Sequence, residues 1–164
     1  MTDRVRLTRK DHPGSLTEVT DLCHDATKRL RKGCSMTTGP RVLLYSDDAT
    51  VREQVRLAVG PRLRAGADTI AWTEVATRDR LVAAVSSRPF DLLVLDGEAD
   101  KAGGMGLCRQ LKNEVYDCPP AVVITGRPQD AWLASWSLAD SVVPRPLDAF
   151  VVQRAVAETL SPAA

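Results

Sequence analysis

The sequence predicts an α/β fold, a parallel five-stranded sheet with helices on both faces. Three observations carry this. From Arg41 onward, short apolar runs alternate with helix-period segments five times over. The runs Asp91–Leu95 and Ala121–Thr125 are apolar without alternation, as strands buried on both faces are. Gly60-Pro61, Arg88-Pro89, Pro119-Pro120 and Pro144-Arg145-Pro146 punctuate the chain between segments. Strands alternating with helices join by right-handed crossovers into such a sheet.

Each element follows from local sequence. The strands are expected at Val42–Tyr45, Thr69–Trp72, Asp91–Leu95, Ala121–Thr125 and Ser141–Val143. The helices between and after them are expected at Ala49–Val59, Arg78–Ser86, Gly104–Val115, Gln129–Leu138 and Leu147–Leu160. Asp48 suits the N-cap of the first helix and Thr77 that of the second. In the fifth helix Val152, Val156 and Leu160 recur every four residues as a core stripe, leaving Phe150 or Val151 to face a partner. Trp72 is expected in the core.

Residues 1–40 read separately, as an arm with eight Lys/Arg against five Asp/Glu. One short helix is expected there, from about Ser15 to Arg31, with Ser15 and Glu18 as a capping box and Gly33 as its stop. Three readings stand side by side: a mobile or dispensable arm, a partner-binding amphipathic helix, and a translation start that lies at Met36. The expected domain is therefore 41–161.

Composition narrows the function classes. The chain has 164 residues, 44% hydrophobic and 26% charged, with a net charge of +1. These values are ordinary for a globular protein and give no global field for nucleic acid. No apolar run approaches the length of a spanning helix, and Met1-Thr2-Asp3-Arg4 opens no secretory signal. A cytoplasmic protein, neither membrane-spanning nor nucleic-acid binding, is expected. Cys23, Cys34, Cys108 and Cys118 lack Cys-x-x-Cys spacing, and His12 and His24 sit near the N-terminus, so reduced space-filling thiols are the expectation rather than zinc ligands.

Chemistry in open parallel sheets collects beyond the strand C-termini. There the chain places Ser46-Asp47-Asp48, Asp96-Gly97-Glu98, Thr125-Gly126 and Arg145. Such a set suits phosphoryl chemistry, with Asp96 as nucleophile and a hard divalent cation such as Mg2+ on Asp47 and Asp96. Thr125 and Arg145 would hydrogen-bond the phosphoryl oxygens.

The stretches Val42-Leu43-Leu44-Tyr45-Ser46-Asp47-Asp48, Asp91–Asp96, Val122-Val123-Ile124-Thr125-Gly126 and Val143-Pro144-Arg145-Pro146 resemble, in order and spacing, the receiver domain of two-component response regulators. The resemblance implies a flavodoxin-like (CheY-like) sheet of order 2-1-3-4-5. It puts Asp96 at the phosphoacceptor position, Asp47 at the second acid of the metal pair, Thr125 at the switch hydroxyl and Arg145 at the lysine position. Gly104 matches the glycine that opens the third helix.

The departures from that family pattern bear on function. Ser46 replaces the first acid and removes a charge from the metal site. Arg145 replaces a mobile point charge by a planar guanidinium suited to a fixed bidentate carboxylate pair. Val142 stands where receivers keep a switch aromatic, Ala99-Asp100 replaces Met-Pro, and Glu98 adds a carboxylate at the entrance. Together they disfavour a phosphorylation switch. Two readings of Asp96 stay open: a structural ion pair with Arg145, or a residual phosphoacceptor or metal-binding role.

No output domain is expected after the fifth helix, so action through the protein's own surface is the expectation. Trp132 and Trp136, four apart on the fourth helix, are the candidate partner surface, unless one of them packs under that helix. The stretches Tyr45-Ser46-Asp47, Leu95–Ala99, Gly103–Gly106, Cys118-Pro119-Pro120, Thr125–Pro128 and Trp132–Ser137 are similar to a group of orphan receivers of mycobacteria and related actinobacteria linked with respiratory complex I (NADH:quinone oxidoreductase). That resemblance implies an atypical, degenerate receiver acting as an accessory or regulatory subunit with no catalysis of its own. No cofactor is expected to be required, and the place this implies is the cytoplasmic face of the membrane, through the partner. The alternative is a phosphoaccepting response regulator served by a histidine kinase through Asp96. A further option is a nucleotide or small anion held by Thr125 and Arg145.

Overall fold

A computed structural model describes residues 39–99 and 103–161. The helix expected over 15–31 lies outside the described residues. Ten elements alternate along the chain, with the bounds β1 (Arg41–Tyr45), α1 (Ala49–Val59), β2 (Ala71–Val75), α2 (Arg78–Ser87), β3 (Leu92–Asp96), α3 (Gly104–Glu114), β4 (Ala121–Thr125), α4 (Ala131–Trp136), β5 (Ser141–Pro144) and α5 (Ala149–Leu160). All strand pairs are parallel and the order is β2-β1-β3-β4-β5.

The hydrophobic strands work because both faces of the sheet are covered. Even positions of β1 and β3 (Val42, Leu44, Leu92, Val94) join Val122, Ile124 and Val143 under α1 and α5, with Val51, Val55, Val152 and Val156 from the helices. Odd positions (Leu43, Tyr45, Leu93, Leu95) join Ala121 and Val123 under α2 and α3, with Leu81, Leu107 and Leu111. Every residue of β3 and β4 is buried. Burial pushes the Cys108 thiol up to about 11, which keeps it a protonated, space-filling side chain.

Capping fixes where the helices start. Asp48 accepts from the Thr50 amide at 2.7 Å, Thr77 from Arg80 at 3.4 Å and Asp148 from Val151 at 3.0 Å. The Thr50 amide also holds the Asp48 carboxyl below its ordinary value.

Several expectations shift, among them β3, which runs Leu92–Asp96 rather than Asp91–Leu95. β2 runs Ala71–Val75 rather than Thr69–Trp72, because Ile70 spends its amide on Pro61 before the ladder begins. The segment expected as one helix over Gln129–Leu138 is a 3-10 turn at Pro128–Asp130 followed by α4, and Leu138 leaves helical space with φ 63°. α5 starts at Ala149, since Asp148 is its cap. Trp72, expected in the core, is half-buried on the edge strand. It lines a groove of about 600 Å³ between α1 and β2, together with Arg52, Arg56, Leu57 and Ile70. Among the described residues no helix is long and apolar enough to cross a membrane.

Two glycines of α3 are expected to answer oppositely to alanine. A Cβ at Gly104 would lie 2.2 Å from the carbonyl oxygen of Asp96, whereas one at Gly106 meets nothing within 4 Å. Gly104→Ala should cost at least about 2 kcal/mol by displacing α3 from β3. Gly106→Ala should add about 0.5 kcal/mol by removing backbone freedom from the unfolded chain. Urea denaturation of both variants checks the pair, and equal effects would show that α3 does not press on the end of β3.

Candidate functional site

The parallel register brings the C-terminal ends of β1, β3, β4 and β5 to one rim of the sheet, where crevices in such folds open. Side-chain parity then sorts the residues. Ser46, Asp96 and Arg145 continue the series 42–44, 92–94 and 143, which face α1 and α5. Thr125 continues 121–123, which face α2 and α3. The first three therefore converge, and Thr125 stands to the other side.

Asp96 is 1% exposed, and an ionised carboxylate there needs partners for both oxygens. Its Oδ2 accepts from the Ser46 hydroxyl at 2.7 Å and from Arg145 Nη2 at 2.8 Å. Its Oδ1 accepts from Arg145 Nη2 at 2.9 Å and from the Glu98 amide at 3.2 Å. Four contacts use the roughly four acceptor directions of a carboxylate. The fork-to-fork geometry expected of an arginine is not what forms: one nitrogen straddles both oxygens. Arg145 Nε is buried with no hydrogen-bond partner, and so is Thr125 Oγ1.

Ser46 is fully buried and serves two elements at once. It donates to Asp96 and accepts the Asp48 amide at 3.2 Å, closing the turn from β1 into α1. Arg52 reinforces that turn, with Nη1 on the Ser46 carbonyl at 2.6 Å and Nε 3.3 Å from Glu74 on β2. Sequence reasoning missed Arg52. The available signal was Arg52 and Arg56 one helical turn apart, both of which reach Glu74.

The remaining site residues occupy the rim. Asp47 is exposed in the turn after β1, and Asp48 is spent on its helix cap. Val142 is half-buried among the residues facing α2 and α3. The Glu98 carboxylate lies against Gly126, where a Cβ would come within 2.7 Å of it. Ala99 is buried, and Asp100 lies outside the described residues.

A resident divalent cation wants several oxygen ligands with open lone pairs. Here Ser46 donates toward Asp96 instead of adding charge, and the lone pairs of Asp96 are already taken. Among the described residues no group of three His, Cys, Asp or Glu is placed to hold a metal ion. The residues present do not fit such an ion.

Trp132 and Trp136 lie on α4, with 67% and 51% of their surface exposed, so neither packs beneath the helix. The Arg109 guanidinium stands 4.5 Å from the Trp136 ring centroid and also donates to the Trp136 carbonyl, tying α4 to α3. Phe150, at the start of α5, is exposed as well, whereas Val151 is partly buried on the core.

No protein-family model matches the chain. Two curated relatives, uncharacterized response regulatory proteins from two strains of Mycobacterium tuberculosis, are each 45% identical over 124 residues, covering 76% of this chain and 93% of theirs. Among solved structures, the receiver domain of a Syntrophus aciditrophicus signal transduction histidine kinase matches with TM-score 0.62 at 22% identity, over 74% of this chain and 90% of that one. A Bermanella marisrubri receiver domain matches with TM-score 0.62 at 16% identity, over 76% and 100%.

The ion pair sets an expected stability ranking. Arg145→Met strands a buried carboxylate and should cost about 2 kcal/mol, a figure below that of a fully buried pair because the arginine is itself 32% exposed. Arg145→Met combined with Asp96→Asn removes the stranded charge and should regain most of that loss. Chemical denaturation at pH 7 measures both, and a double variant as unstable as the two changes summed would contradict the pairing energetics.

Proposed function

The chain belongs to the response-regulator family, with the fold of its receiver domain, and from that premise we propose a receiver held in one state that works by docking on a protein. The observation that carries this reading is the saturated carboxylate: both oxygens of Asp96 are engaged by Arg145, Ser46 and the Glu98 amide. An incoming phosphodonor would have to displace a charge-assisted contact and approach past Glu98, whose charge repels it. Val142 supplies no ring to move with Thr125. The pattern is that of a degenerate receiver. The chain spans 93% of the length of the matched relatives.

The docking surface in this reading is the aromatic face of α4. Exposed tryptophans are the side chains richest in interface energy, and Arg109 holds one of them in place before any partner arrives. The partner we propose is the respiratory NADH:quinone oxidoreductase, which places the protein at the cytoplasmic face of the membrane without spanning it. Support comes from the sequence resemblance to receivers linked with that complex and from the mycobacterial origin of the relatives. In this role the protein carries no catalysis of its own.

A second reading, phosphorylation of Asp96 by a histidine kinase, draws on one observation. The Thr125 hydroxyl, at the end of the strand next to that of Asp96, is buried without a hydrogen-bond partner. In that chemistry an Asp96 oxygen attacks the phosphorus, the phosphohistidine N–P bond breaks, and the ring nitrogen keeps the electron pair.

Incubation with acetyl phosphate and Mg2+ followed by intact-mass measurement separates the two. The proposal expects unmodified protein, and a stoichiometric phosphoryl adduct absent from Asp96→Asn would establish the second reading. For the partner, subunits of the NADH:quinone oxidoreductase should co-purify from detergent-solubilised membranes with the tagged protein. Recovery should fall about tenfold with Trp132→Ala/Trp136→Ala. Undiminished recovery removes α4 from the interface.

A further inference from the structure

A carboxylate with 1% exposure keeps its charge only beside a counter-charge. Two kinds serve at the rim of a sheet. A divalent cation brings high charge but demands several oxygen ligands and leaves when the solution is depleted of it. A side-chain cation is covalently tethered and always present.

The contact in this protein has the form of the first and the chemistry of the second. Arg145 presents a single nitrogen to both Asp96 oxygens, at 2.9 and 2.8 Å, as one ion would, and leaves its Nε unused. Ser46 is the matching partner. It lends a proton to Oδ2 at 2.7 Å, which an ionised acid at that position could not do. An acid there would also give the single guanidinium two buried carboxylates to balance. Arginine at 145 and a hydroxyl at 46 therefore satisfy Asp96 together, and each makes sense of the other.

We propose that the Arg145 guanidinium has taken the place of the divalent cation in this site, with Ser46 as its coupled change. The protein then keeps Asp96 paired whatever the metal content of its surroundings. This inference rests on the reading of the chain as a receiver held in one state. It adds that the holding device is reversible by two residues acting together. Ser46→Asp alone leaves the guanidinium on the Asp96 oxygens. Arg145→Lys alone keeps one nitrogen for those oxygens and supplies no new ligand. The two changes together restore an acidic pair beside a mobile point charge.

The test is Mn2+ titration of the full chain, read by the electron paramagnetic resonance of the free ion. The wild-type protein should take up no Mn2+ at Asp96, and its melting temperature should be the same in EDTA and in Mg2+. Ser46→Asp/Arg145→Lys should bind Mn2+ at least about tenfold more tightly than either single variant, reflecting the added ligand charge. That binding should vanish when Asp96→Asn is added. Wild-type binding that Asp96→Asn abolishes would overturn the proposal, and so would a folded double variant with no gain over the single ones. Should the double variant fail to fold, the wild-type titration still decides. A phosphoryl adduct formed by wild type in EDTA would remove the held-receiver reading while leaving this exchange of counter-charges standing.

Discussion

Burying an ionised carboxylate at the end of a central strand is the constraint from which the rest of this site follows. Asp96 closes β3, the middle strand of the five, and every residue before it in that strand is buried. Water cannot solvate such a charge, so the protein must. The solution draws on three separate stretches of chain: the turn after β1 through Ser46, the turn after β3 through the Glu98 amide, and the end of β5 through Arg145. The carboxylate thus acts as a tie across the rim. Ser46 passes the constraint to the start of α1 through the Asp48 amide, and Arg52 anchors that start to the neighbouring strand through Glu74.

Sheet geometry decides which residues can take part. In a parallel sheet covered on both faces, alternate residues point to opposite layers. Ser46, Asp96 and Arg145 share one parity and meet. Thr125 has the other, and its hydroxyl stands buried without a partner although the ladder continues past it, from the Arg145 amide to the Thr125 carbonyl at 2.8 Å. A polar group left unpaired in a core costs free energy.

Much of this was legible in the sequence because apolar runs and breakers report burial directly. β4 and α1 have the expected bounds, and the order of elements follows from the alternation alone. The edge of the sheet was harder to read. β2 is only partly buried, so the apolar run Ile70-Ala71-Trp72 pulled its expected start two residues early. Around Pro128 the helical period was visible, but the 3-10 turn and the left-handed Leu138 that shorten α4 depend on tertiary contacts. At the site, the residue types and their convergence at one rim could be read from strand ends. The end-on contact of Arg145 and the part played by Arg52 could not, since both depend on side-chain directions that only the folded register supplies.

The same rim and the aromatic face of α4 are joined through β5. α4 leads into β5 by way of Asp140, whose carboxylate accepts the Ala121 amide at 2.7 Å and pairs with Lys112 at 2.7 Å, so β4, α3 and the start of β5 are pinned together. Arg145 pins the other end of β5 to Asp96. A strand fixed at both ends holds the helix packed beside it in one position, and Arg109 then fixes the Trp136 ring on that helix. Preorganisation of this kind lowers the ordering cost of association, which favours binding by a surface that does not have to rearrange. A mobile counter-charge at Asp96 would trade that advantage for responsiveness. The guanidinium holds the end of β5, and with it the aromatic face alongside, in one arrangement.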